Sequence, residues 1–142
     1  MLQKKMKPTI LNNYSDFVKT VTSKPSNEIS KMNERMKDLS GSRSDINLSL
    51  LITAGFGLSS ETGEFNEIIK KCLFQGKELT DENVYHMKRE LGDVLWYWCN
   101  AVRSLNLDPN DVIEENIQKL KGRYPGGEFD VYHSEHRNAN DL

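Results

Sequence analysis

Residues 81–105 read DENVYHMKRELGDVLWYWCNAVRSL, and their spacing decides the fold class. Val84, Met87, Leu91, Val94, Leu95, Trp98, Val102 and Leu105 fall three or four apart. That is the period of a helix with one apolar stripe, not the two-residue alternation of a strand. One long amphipathic helix is predicted here. Toward the C-terminus, Asp108-Pro109 supplies an N-cap with proline at the first helical position, and Val112, Ile113, Ile117 and Leu120 continue a third core helix. Toward the N-terminus, Asp45 to about Gln75 also follows helical spacing, interrupted by Gly55-Phe56-Gly57, where a kink or a close helix contact is expected. The connections are short, so neighbouring helices should run antiparallel. No internal repeat and no strand-like segment stands out. The chain is predicted to be all-α, a helical bundle.

At 142 residues with 37% hydrophobic content, one modest core and one domain are the expectation. Residues 1–44 read as a polar N-terminal arm with helical stretches around Tyr14–Thr22 and Glu28–Leu39, parted by Ser23-Lys24-Pro25-Ser26 and followed by a turn at Ser40-Gly41-Ser42. Residues 45–129 form the expected functional domain. Beyond the turn at Tyr124-Pro125-Gly126-Gly127, residues 130–142 read as a polar, mobile tail. The formal net charge of −2 carries no basic field, which argues against long nucleic acid as a partner. The longest apolar-leaning run, Leu48–Leu58, is too short to span a bilayer, and the basic N-terminus leads into no apolar leader segment. A cytoplasmic protein without a membrane span is expected. The two cysteines, Cys72 and Cys99, fall at core spacing and read as reduced, packed thiols.

The chemistry lies in four carboxylates. Leu58, Glu61, Phe65, Ile68 and Cys72 are spaced 3, 4, 3 and 4, so Glu61 occupies a slot where an aliphatic residue belongs. A carboxylate placed there must be neutralised, paired or bound to a metal. Glu64 follows three residues on, and Glu90 and Asp93 make a second i, i+3 pair on the next helix. A single pair of this kind is ordinarily a solvated helix face. Two pairs on consecutive helices, one of them set into an apolar stripe, point instead to a shared divalent cation. Oxygen-only ligands suit Mg²⁺, with Mn²⁺ as a substitute. A di-iron bundle site would need Glu-x-x-His pairs, and neither pair has His at i+3.

Lys71 lies seven residues after Glu64, with Lys70 beside it, so either can meet a metal-held phosphate. Asn116 and Lys119, with Arg123 a turn further if the helix survives Gly122, would make a cationic clamp. Each of these basic residues taken alone is more simply a solvated surface group. Tyr97 and Asn100 are candidates for a nucleoside contact or for a polar contact between helices. Trp96 and Trp98 read as core or interface aromatics, and His86, His133 and His136 have no partner that spacing identifies.

Taken in order, Gly57-Leu58-Ser59-Ser60-Glu61-Thr62-Gly63-Glu64, Lys70-Lys71, Glu90-Leu91-Gly92-Asp93-Val94-Leu95-Trp96-Tyr97 and Asn116-Ile117-Gln118-Lys119-Leu120 with Arg123-Tyr124-Pro125 resemble the motifs of MazG-like, all-α nucleotide pyrophosphohydrolases. The resemblance runs from about Leu48 to Phe129. It implies a MazG-like bundle of paired subunits, a homodimer or homotetramer, with Glu61, Glu64, Glu90 and Asp93 as metal ligands. Phosphate contacts carry over more loosely to Lys71, Asn116, Lys119 and Arg123, and Glu61 or Glu64 would act on the attacking water. The implied reaction is cleavage of a nucleoside triphosphate between its α- and β-phosphates. Many relatives carry a second Glu where this chain has Ser60. Small stand-alone members of the family with a polar arm are frequent in bacteriophages. A non-catalytic MazG-like module that binds a nucleotide or a partner is the alternative, and a purely structural helical oligomer is a third reading.

Overall fold

A computed structural model describes residues 9–136. Every regular element among them is a helix: α1 (Ile10–Val21), α2 (Lys24–Asn27), α3 (Ile29–Ser42), α4 (Leu48–Phe74), α5 (Asp81–Ser104), α6 (Pro109–Arg123) and α7 (Val131–Glu135). The chain divides into two compact units after Arg43.

In the first unit α1 is capped by the Thr9 side chain, which accepts from the Asn12 backbone N–H, and α2 by Ser23, with Pro25 in its first turn. The expected turn at Ser40-Gly41-Ser42 is instead the last turn of α3. Nor is α1 simply polar. Ile10, Tyr14, Phe17 and Val21 recur at helical spacing and are all exposed.

The second unit is built on the antiparallel pair α4 and α5. Asn47 caps α4, and its own N–H donates to the Ser104 carbonyl at 2.8 Å, tying the start of α4 to the end of α5. At the other end Gly76 adopts φ +68°, which lets the Lys77 N–H return to the Lys71 carbonyl. A reciprocal capping box between Thr80 and Asn83 then starts α5. The predicted kink at Gly55-Phe56-Gly57 does not occur. The helix is continuous and Gly57 is buried, because the Tyr97 ring lies against it where a β-carbon would be. The close-contact expectation is the one the structure meets.

The stripe predicted on α5 is covered only in part. Met87, Val94, Trp98 and Val102 lie on its covered side, together with Glu90 and Tyr97, whereas Val84, Leu91 and Leu95 are exposed. On α6, Ile113, Ile117 and Leu120 are likewise exposed, and Asp108 caps the helix with Pro109 in its first turn, as predicted. The physical reason is a shortage of elements: a helix with a broad apolar face needs more than one neighbour, and α5 packs principally on α4. Among the described residues the fully covered set is small, Ala54, Gly57, Asn100, Val102 and Ser104. Cys99 is exposed, against its expected packing, while half-buried Cys72 donates its Sγ–H to the Glu78 carbonyl; both thiols are free.

The helix α6 continues through Gly122 to Arg123, and the following turn is closed by the Gly127 N–H on the Tyr124 carbonyl, with Gly127 at φ +78°. The segment expected to be a mobile tail begins with α7, capped by Asp130, which accepts from both the backbone N–H and the ring nitrogen of His133. Those bonds hold the Asp130 carboxyl below its ordinary range. Residues 137–142 of that tail lie outside the described residues.

Candidate metal centre

The carboxylates that the sequence singles out lie midway along α4 and α5. On α4, Leu58, Glu61, Phe65, Ile68 and Cys72 are all at least partly covered, so Glu61 does take the half-buried slot its spacing assigned. It is held there by the packed turns on either side of it. Glu90 occupies the corresponding half-buried position on α5. Antiparallel packing places the two opposite one another, and Glu61, Glu64 and Glu90 each bring a carboxylate oxygen within 4.8 Å of the others. Asp93 is exposed and stands outside this trio, although its charge still reaches Glu61.

Glu61 is pushed above the ordinary carboxylate range. Partial burial is the leading cause, followed by the charge of Glu64, a side-chain hydrogen bond with Glu90 that needs a proton between the two carboxyls, and the charge of Asp93. The protein alone therefore compensates this cluster poorly. Three oxygen ligands from two helices, close enough to share an ion and costly to leave together as anions, could hold a hard divalent cation.

A cavity of about 380 Å³ opens beside the trio, with Glu64 and Glu90 at its edge and Ser60, Glu67, Lys71 and His86 in its lining. Ser60, exposed on α4, lines this cavity. Lys70 does not line the cavity; it pairs with Glu67, and Lys71 approaches the same carboxylate at 3.4 Å. The two lysines hold Glu67 below its ordinary range, first through the Lys70 hydrogen bond. Asn116, Lys119 and Arg123 are on α6, which contributes nothing to this lining. Asn100 is spent within α5, donating to the Trp96 carbonyl and accepting from Arg103, and Tyr97 is committed to Gly57.

Two lining residues escaped the sequence reading. Glu67 continues the Glu61, Glu64 spacing by three residues, and His86 precedes Glu90 by one turn, so both were on the right face. His86 pairs with Glu82 at 3.7 Å, a contact that spacing allows but does not single out.

A family model for the MazG nucleotide pyrophosphohydrolase domain matches residues 52–127. The Gene 37 protein of Mycobacterium phage L5 is 36% identical over 73 residues, covering 50% of this chain and 63% of that protein. No solved structure matches. The matched segment starts inside α4 and ends at the Gly127 turn, so it contains both carboxylate-bearing helices and the cavity between them. With an all-helical architecture and this acidic cluster at its centre, the chain belongs to the MazG nucleotide pyrophosphohydrolase domain family.

Proposed function

We propose that the protein is a Mg²⁺-dependent nucleoside triphosphate pyrophosphohydrolase that converts a (d)NTP to the monophosphate and pyrophosphate in the cytoplasm. The observation that carries this reading is the convergence of Glu61, Glu64 and Glu90 within 4.8 Å, beside a cavity lined by Lys71. Glu61, Glu64 and Glu90 would hold the cation, with Asp93 completing the set. A divalent ion so held supplies Lewis-acid polarisation of a phosphate and a more acidic bound water, with Mn²⁺ able to substitute.

The chain's own part is positioning and proton transfer. Water oxygen attacks the α-phosphorus, the bond to the α–β bridging oxygen breaks, and the water proton passes to Glu61 or Glu64, the two carboxylates on the α4 side of the cluster. Lys71 meets the departing negative charge. Asn116, Lys119 and Arg123 are kept as phosphate contacts, and because α6 lines none of the cavity within one chain, they fit best when subunits pair as a homodimer or homotetramer. The catalytic portion is residues 45–129, with 1–44 an accessory arm and 130–142 a tail.

Incubation of the pure protein with Mg²⁺ and a panel of canonical and damaged (d)NTPs, followed by assay of pyrophosphate, tests the reading. Pyrophosphate and monophosphate in equal amounts are expected. Binding of nucleotides without turnover would replace the enzyme by a binding module.

A further inference from the structure

The reading above, on which this inference rests, leaves open which way the triphosphate lies along the groove between α4 and α5. Helix direction supplies the answer. Lys71 follows Glu64 toward the C-terminal end of α4, and His86 precedes Glu90 toward the N-terminal start of α5. Because the helices are antiparallel, both offsets run toward the same end, the Gln75–Thr80 connection.

The space runs the same way. The cavity beside the carboxylates shares Ile68 and Lys71 with a second, of about 550 Å³, that reaches Lys77 beyond the end of α4. Each is within the range of about 300–1,000 Å³ typical of small-ligand sites. In the opposite direction the Tyr97 ring rests on Gly57 and takes up the space a β-carbon would need there. Room and cationic side chains therefore coincide on the connection side of the cluster.

We propose that His86 is a substrate-binding residue which, with Lys71, holds the diphosphate end of the triphosphate, so that pyrophosphate points toward the Gln75–Thr80 connection and the nucleoside lies on the other side of the carboxylates. His86 is about half exposed in the lining, with Glu64, Glu67 and Lys71 across from it on α4 and Glu82 and Glu90 one turn either way on α5. In either protonation state its imidazole presents an N–H, and phosphate oxygens accept. Its present contact with Glu82, at 3.7 Å between exposed groups, is weak enough to be exchanged for a phosphate.

Calorimetric titration of Mn²⁺, then of inorganic pyrophosphate and of a nucleoside monophosphate in the presence of Mn²⁺, distinguishes this arm from a general disturbance. For His86→Ala, Mn²⁺ and monophosphate affinities should stay within about twofold of wild type, while pyrophosphate affinity falls about tenfold or more, as expected for loss of one charge-assisted hydrogen bond. His86→Arg should recover most of it. Pyrophosphate binding to His86→Ala within twofold of wild type, or an equal loss for monophosphate and pyrophosphate, would overturn the assignment while leaving the pyrophosphohydrolase reading intact if wild type still turns over. A wild-type protein that neither binds pyrophosphate nor hydrolyses triphosphates would overturn both.

Discussion

Gly57 on α4 and Tyr97 on α5 are in direct contact, and a β-carbon at position 57 would clash with the tyrosine ring. The contact brings the two helices together one turn from Glu61 on α4 and two turns from Glu90 on α5, so it sets the spacing at which the carboxylates meet. Gly57→Ala gains about 0.5–1 kcal/mol of helix propensity but incurs about 1–3 kcal/mol of overpacking, and a net loss of stability is expected. Gly55→Ala, with nothing within 4 Å of the new methyl, should be neutral to stabilising. Thermal melts of the two variants check this; an equally stable Gly57→Ala would show that Tyr97 moves aside without cost.

Glu61→Gln keeps the volume and polarity of the one carboxylate set into an apolar stripe and removes its charge. Mg²⁺-dependent turnover should fall by at least two orders of magnitude, and the rise in melting temperature caused by saturating Mg²⁺ should shrink, since ligand stabilisation tracks affinity for the native state. The metal-free variant should be no less stable than metal-free wild type. Turnover near the wild-type rate would remove Glu61 from the metal site.

The raised Glu61 carboxyl has a definite consequence for pH. Its folded-state pKa exceeds the ordinary 4.5, so its favourable contribution is complete below that value and is lost as pH rises through the folded pKa. Glu67 and Asp130, both lowered, act in the opposite sense and lose their contribution as pH falls. In a chelator, the stability of wild type relative to Glu61→Gln should therefore decline from about pH 4.5 toward neutrality, and saturating Mg²⁺ should cancel the decline. Denaturant titrations across that interval measure it; a difference independent of pH would mean that Glu61 is solvated like an ordinary surface carboxylate.

The exposed apolar side of α5 bears on assembly. Val84, Leu91 and Leu95 lie seven and four apart, and Leu95 is 59% exposed. If paired subunits cover this face, Leu95→Glu should reduce the sedimenting mass toward that of one chain, 16.3 kDa, while far-ultraviolet dichroism keeps its helical signature. An unchanged mass would place the subunit contact elsewhere.

Much of the candidate site was legible because helical periodicity converts sequence spacing directly into a shared face. The 3, 4, 3, 4 spacing around Glu61 was enough to expect a half-buried carboxylate, and Asp108-Pro109 was enough to start α6. Periodicity also shows that α5 has an apolar face, but it does not say how many neighbours will cover it. For that reason Leu91 and Leu95 were expected in a core and instead lie open in the single chain.

The sequence by itself determined the all-helical class, the order of the long helices and the face on which each carboxylate sits, because caps and the 3.6-residue period are local properties of the chain. Only the tertiary structure decided that Glu61, Glu64 and Glu90 form the trio while Asp93 stands outside it, that Lys71 rather than Lys70 lines the cavity, and that His86 and Glu67 join it. Those outcomes depend on the register with which α4 slides along α5. That register is set by contacts such as Gly57 with Tyr97, between residues 40 positions apart, and no local rule reaches across such a separation.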